Sequence, residues 1–305
     1  MRPDAGERLT PSAARRRLGE ELLKSRRRAR LSLDEAARGI ERSAATLSRL
    51  ENGRTIPRLV DVKALIAHYQ SVASRSVANG TEERILTLAE IARKEEWFAS
   101  FRDVLAGELT SNEARRLVEF EGEATMIRSY EPELVPGLLQ TEAYAAAVTE
   151  AFFPERSDVE RQRLVEFRLG RQQILQRGDR EVDLRVVIGE AALRHVMGSP
   201  AVMREQLNAL LADVQNGRSN VTIQVSPLAL AIPAVLGGPF AQMDLASEEG
   251  PGLVYLEGRE SAQFMLTDDA VERYRELFHQ LTGAALDAGG SAKVLEEAIK
   301  HLPLS

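Results

Sequence analysis

Apolar positions follow two different periods along the chain, and the change of period divides it. From Ser12 to Gln70 the spacing is helical and predicts four short helices joined by tight connections. Leu18 and Leu22 share one face of the first. Leu33, Ala36, Ala37 and Ile40 follow i, i+3, i+4, i+7 in the second, where Ser32 stands in the capping position. Leu47 and Leu50 mark the buried side of the third, and Asn52-Gly53 ends it because both residues tolerate the left-handed conformation. The fourth is lined by Leu59, Val62, Leu65, Ile66 and Tyr69. Residues 1–11 read as an arm and 72–81, small and polar, as a linker.

A helix from Glu82 to Phe98 is then expected to lead into a larger unit, residues 82–305, with Trp97, Phe98 and Phe101 as anchors. Two X-Pro steps keep Tyr130 to Thr141 extended until Thr141 caps a helix through Val148. Another helix, Val159 to Gln176, ends at Gly178. The period then shortens. Val182 to Ile188 alternates and is β-branched, Ser199-Pro200 opens a helix ending at Gly217, and Val221 to Val225 is a second strand. This β-α-β unit implies parallel strands. Phe240–Leu245 and Leu253–Leu256 predict an antiparallel hairpin, Thr267 a helix with Val271, Tyr274, Phe278, Leu281 and Ala285 on one stripe, and Ser291 a last helix. The fold expected is an all-α N-terminal helix-turn-helix domain (12–71) followed by an α+β C-terminal domain with a small mixed β-sheet.

Composition changes the picture through charge. Residues 1–80 carry 17 Arg and Lys against 9 Asp and Glu, a net of +8, while residues 81–305 carry 23 against 37, a net of −14; the overall −6 conceals this division. A basic end gains affinity for phosphates by releasing counterions, and an acidic remainder does not. There is no cysteine, hence no disulfide, thiolate zinc site or cysteine nucleophile. No apolar run has the length of a membrane span, and the N-terminus lacks a secretory signal, so a cytoplasmic protein without membrane contact is expected.

Residues 33–52, LDEAARGIERSAATLSRLEN, concentrate the candidate chemistry. Ala37 allows two short helices to cross closely, with Ile40, Leu47 and Leu50 between them. The second helix then presents Ser43, Ala44, Ala45, Thr46, Ser48 and Arg49 at its free end. Small side chains there would let a helix end enter the major groove, roughly 12 Å wide, where base edges carry a unique code. Arg49 is the candidate for guanine O6 and N7, and Ala44 and Ala45 for a thymine methyl. Arg54, with Ser32 and Arg42, is a candidate for phosphate, which positions a protein without specifying sequence.

The string LSRLENGRTIPRLVDVKALIAHY resembles the signature of xenobiotic-response-element-type helix-turn-helix regulators. That resemblance places Ser43, Ala44, Ala45, Ser48 and Arg49 on base-reading positions, Arg54 on a phosphate position, and Glu51 and Asn52 on helix-ending positions. Three residues depart from the pattern: Glu41 replaces the usual turn glycine, Arg42 an apolar residue, and Leu33 a phosphate-binding glutamine. Either Arg42 supplies the replacement phosphate contact or the turn is less regular. Further on, EFEGEATMIRSYEPELVPGLLQTEAYA, VVIGEAALRHVMG, REQLNAL, VTIQVSP and LVYLEG resemble the long C-terminal domain of actinobacterial antitoxin-like regulators. The resemblance implies a transcription regulator on double-stranded DNA, partnered by a small protein or a small-molecule effector; two-fold operators suit a homodimer.

No catalytic motif competes with that reading. The four histidines are scattered without metal-ligand spacing, and no phosphate loop or Gly-x-Ser-x-Gly elbow occurs, so no enzyme, metal or cofactor is expected. Glu190 and Glu257 end predicted strands and would form a carboxylate pair if those strands were neighbours; against this, Glu190 begins a helix, where the dipole favours a carboxylate. Arg161, Arg163, Arg168 and Arg171 share a helix, either as a solvated face or as a cradle for an acidic partner. The stripe from Val271 to Ala285 is either a core face or a dimer seam.

Overall fold

The structure, a computed structural model, describes residues 10–72, 80–105, 111–176, 182–229, 238–246, 252–258 and 261–303. The chain divides into two compact units between Ala99 and Ser100. The arm expected over 1–11 and the linker over 72–81 fall largely outside the described residues; Thr10, at the arm's edge, is the N-cap of the first helix, its hydroxyl accepting from the Ala13 N–H.

The N-terminal unit is all helical: α1 (Pro11–Arg28), α2 (Leu33–Gly39), α3 (Ala44–Glu51), α4 (Leu59–Val72) and α5 (Thr81–Ala92). Two expectations are corrected. α1 is not short but 18 residues long, because its buried stripe of Ala14, Leu18, Leu22 and Ser25 runs on as far as the arginines of its last turn. The helix after the linker ends at Ala92, and instead of leading into the larger unit it closes the smaller one: Ile85, Leu88, Ala89 and Ala92 join Leu18, Leu47, Leu65 and Tyr69 in a single core. An amphipathic stripe is buried wherever a complementary surface lies, and here that surface is α1 and α4.

The C-terminal unit is α+β. Its elements are α6 (Arg102–Leu105), α7 (Ser111–Glu121), β1 (Ala124–Glu131), α8 (Glu142–Phe152), α9 (Asp158–Arg171), β2 (Asp183–Gly189), α10 (Glu190–Arg194), α11 (Pro200–Asn216), β3 (Val221–Ser226), β4 (Phe240–Leu245), β5 (Leu253–Glu257), β6 (Ala262–Met265), α12 (Asp268–Ala284) and α13 (Ala288–His301). One six-stranded sheet, in the order β3-β2-β1-β4-β5-β6, pairs β3, β2 and β1 in parallel and β1, β4, β5 and β6 antiparallel. It is therefore the mixed sheet expected, with β2-α11-β3 as the parallel unit.

β1 and β6 have no counterpart in the sequence reading. β1 joins the parallel and antiparallel halves, yet its inward positions pass from Ile127 to the polar Ser129 and Glu131, which erases the alternation that marks a strand. One sheet face meets the main core, including Ile127, Leu184, Val186, Ile188 and Met243, with Leu207 and Leu295 from the helices. On the other face Tyr130, Val187 and Phe240 pack against Phe278 and Leu281 of α12, so most of the Val271–Ala285 stripe is a core face. Ser291 does not open the last helix. Asp287 is its N-cap, and Ser291 is buried within the helix, where its hydroxyl accepts from the Val225 N–H. Glu190 and Glu257 do not pair, because β1 and β4 separate their strands. Glu190 instead accepts from Arg194 and from the Leu228 N–H, and the latter bond helps hold its carboxyl below the usual range despite partial burial. The hairpin turn expected near 247–252 and Gly178 lie outside the described residues, except for Gly252 itself.

Candidate nucleic-acid interface

Three helices of the N-terminal unit end in the same way. After α1, α2 and α3 the chain turns through a left-handed residue, Arg30 (φ 57), Glu41 (φ 55) and Gly53 (φ 64) respectively. In each case the next amide reaches back to the carbonyl five residues earlier: Leu31 to Arg26, Arg42 to Ala37, and Arg54 to Arg49. These are Schellman closures, which satisfy carbonyls that a helix end leaves open. The turn that departs from the glycine pattern is thus regular, with a glutamate held in the conformation glycine prefers. We expect Glu41→Gly to raise stability by about 0.5–1 kcal/mol, since a left-handed L-residue costs roughly 1–2 kcal/mol and glycine's extra chain entropy offsets part of the gain. Urea unfolding followed by circular dichroism checks the sign; a loss of stability would mean Glu41 has a compensating contact.

The turn delivers α3 with Ser43 as its N-cap. The Ser43 hydroxyl accepts from the Thr46 N–H at 3.2 Å and lies 2.9 Å from the Thr46 hydroxyl. Leu47, Leu50 and Glu51 face inward, leaving Ala45, Arg49 and Asn52 exposed, with Ala44, Thr46 and Ser48 half-buried. The Asn52 amide donates to the Ser48 carbonyl at 2.7 Å, which ties the end of α3 together as its position in the pattern implied.

The expected phosphate contacts fare differently. Arg54 and Arg49 are exposed, joined by the Arg54 N–H donating to the Arg49 carbonyl at 2.8 Å, and neither guanidinium has an ion pair among the described residues. Arg42 is engaged: its guanidinium donates to both carboxylate oxygens of Asp61 on α4, at 2.9 and 3.2 Å. The bond to Asp61 raises the Arg42 pKa, and the two-pronged contact fastens the turn to α4. Ser32 is likewise engaged, in a capping box with Glu35. Donation from the Ser32 hydroxyl and backbone N–H holds the Glu35 carboxyl below its ordinary value.

What positions α3 is a pair the sequence reading passed over. Buried Glu51, in the last turn of α3, receives Arg26 of α1 in a two-pronged contact at 2.7 and 2.9 Å, and the third guanidinium nitrogen donates to the Leu31 carbonyl at 2.9 Å. The signal was present: a carboxylate at a helix C-terminus opposes the dipole and calls for a cation. Gly19 lets α1 approach closely enough, because a Cβ there would lie 2.3 Å from the Glu51 carbonyl oxygen.

Among the described residues no helix is long and apolar enough to cross a membrane, and no group of three His, Cys, Asp or Glu could hold a metal ion. Compared with known sequence families, residues 17–73 match one described as a helix-turn-helix domain, and residues 114–297 match a domain of unknown function, DUF5753. No curated protein and no solved structure matches the chain.

Proposed function

The chain belongs to the DUF5753 family and carries a DNA-binding helix-turn-helix domain ahead of that region, and from this premise we propose that it is a sequence-specific transcription regulator of the xenobiotic-response-element type. It acts by binding alone, as a homodimer on a two-fold operator, and its acidic C-terminal unit senses a small ligand or a small protein. The observation that carries the reading is the outward face of α3: Ala45 and Arg49 are exposed and Ser48 half-buried, with Arg54, which has no ion pair among the described residues, following them in the basic N-terminal part of the chain. Side chains at Ser43, Ala44, Ala45, Thr46 and Ser48 shape the groove contact, Arg49 reads guanine, and Arg54 holds phosphate.

An operator selected from random duplexes tests this. Arg49→Ala should cost about 1–3 kcal/mol at one base position and relax specificity there, whereas Arg54→Ala should weaken all sequences alike and reduce the salt slope by about 1. Identical sequence profiles for the two variants, measured by electrophoretic titration, would overturn the division of roles. The antitoxin-like alternative, in which the C-terminal unit sequesters a small protein and DNA binding serves autoregulation, draws on the large apolar residues exposed there, Phe152, Val159 and Val196. Recovery of a stoichiometric partner with the full chain from its own host would favour it.

A further inference from the structure

The C-terminal unit contains a group of polar residues that neither the fold nor the DNA contact uses. Tyr130 of β1 and Leu256 of β5 both pair with Phe240 of β4, so Glu131 and Glu257, each one residue further on, lie level with each other on the same face of the sheet. One strand lies between them, so their Cα atoms stand roughly 10 Å apart. The next row on that face is Ser129, Ala241 and Tyr255. Ala241 sits on a strand paired on both sides and on the face that carries the main core, yet it is not fully buried; Glu131 and Ala262 are also partly accessible. Accessibility at a small residue on a central strand, with Ser129 and Tyr255 to either side, implies a depression over Ala241.

The walls of this depression are charged. Arg171 of α9 donates to both oxygens of buried Glu121 of α7, at 2.7 and 3.0 Å, so this pair neutralises itself. Glu131 accepts only from the Ser129 hydroxyl, at 3.1 Å, and Glu257 has no hydrogen-bond partner among the described residues. Tyr255 supplies an independent sign. The residue is 7 % exposed, its ring packs on Phe264 at 5.1 Å, and its hydroxyl has no partner among the described residues. The charged groups acting on that phenol are Glu257, Arg171, Glu121 and Glu131, which places it inside the cluster.

We propose that this depression binds a small organic cation, a primary amine or a guanidine, between Glu131 and Glu257 with Tyr255 as the aromatic wall. Two carboxylates lack a cation of their own, since the Arg171 fork is committed to Glu121, and an aromatic face beside them suits a positive ligand. A metal ion fits less well, because both Glu121 oxygens already accept from Arg171 and no three-ligand group occurs among the described residues. Burial first, then the Glu257 charge, pushes the Glu131 carboxyl up to about 8, against the lowering effects of Ser129 and Arg171. A bound cation favours the ionised form, so binding near neutral pH releases a proton, and affinity rises as pH increases from 6 toward 8. The site itself stands on this geometry; that its occupancy alters DNA binding rests on the ligand-sensing reading above.

Isothermal titration of the full chain with 1,4-diaminobutane, agmatine and, as an anionic control, succinate tests the proposal. In buffers of differing ionisation enthalpy at pH 7, an amine should bind with net proton release, succinate should not bind, and Glu131→Gln and Glu257→Gln should each weaken the amine at least tenfold while circular dichroism stays unchanged. Absence of binding by either cation overturns the proposal, as does binding that survives both substitutions or shows no proton release. Should one variant fail to fold, the buffer dependence and the succinate control of the unaltered chain still decide. Operator affinity is measured separately with and without saturating amine: a specific calorimetric signal with unchanged operator affinity supports the site and removes ligand sensing from the proposed function, whereas lack of amine binding leaves the DNA reading untouched.

Discussion

Arg26→Ala is expected to destabilise the N-terminal unit by about 3–5 kcal/mol and to abolish operator binding at temperatures where the unaltered chain still binds. The reason is what the substitution leaves behind. Glu51 is buried, with both carboxylate oxygens accepting from Arg26, and removal of the guanidinium strands a charge away from water. The Leu31 carbonyl loses its donor as well. Against the 5–15 kcal/mol typical of whole domains, such a loss is a large fraction. Arg26 contacts none of the proposed DNA-reading side chains, so lost affinity would follow from α3 losing its anchor. The double variant Arg26→Met, Glu51→Met separates the two effects, because replacing a buried pair by apolar residues of similar size is often neutral or stabilising. Chemical unfolding of the single and double variants gives the comparison; a single variant as stable as the unaltered chain would show that the pair contributes nothing net.

Legibility in the sequence followed how local the determining interactions are. The elements read directly are those whose signals lie within a few residues: the Ser32 cap, the Ser199-Pro200 opening of α11, the alternation of β2 and the hairpin of β4 and β5. Misread elements depended on distant partners. β1 holds the sheet together, but its inward Ser129 and Glu131 face the polar depression instead of the core, so its period was not that of a half-buried strand. α5 displayed a buried face without indicating which unit would cover it. Asp287 and Ser291 are both capable caps, and their roles were settled by the Val225 N–H, which needs the Ser291 hydroxyl. At the interface, the helix and its outward residues could be read from spacing. The Arg42 contact could not, because Asp61 lies 19 residues away on another helix. The mixed sheet was foreseen from the coexistence of a β-α-β unit and a hairpin, while its strand order depended on the unseen β1.

Gln206→Leu should destabilise the C-terminal unit by about 2–5 kcal/mol without changing the residues proposed to face DNA. Gln206 is fully buried on α11, and its amide closes the segment PGLLQT from both sides: the side-chain oxygen accepts from the Thr141 N–H at 2.7 Å, and the nitrogen donates to the Leu139 carbonyl at 2.9 Å. That segment leaves β1 with prolines at 132 and 136, passes through one short 3₁₀ turn and enters α8, so it has few backbone partners of its own. Three glutamines make up the deficit: Gln206 as described, Gln140 donating to the Val135 carbonyl, and Gln172 donating to the carbonyls of Gly137 and Gln140. Leucine is close to glutamine in volume, so the substitution opens little cavity; it strands one buried amide and one buried carbonyl, each costing roughly 1–3 kcal/mol. Scanning calorimetry of the full chain should show a lowered transition for the larger unit, with the unfolding of α1–α5 and the operator profile retained. An unchanged transition would mean that the two backbone groups find other partners, and that the segment is not held in place by this residue.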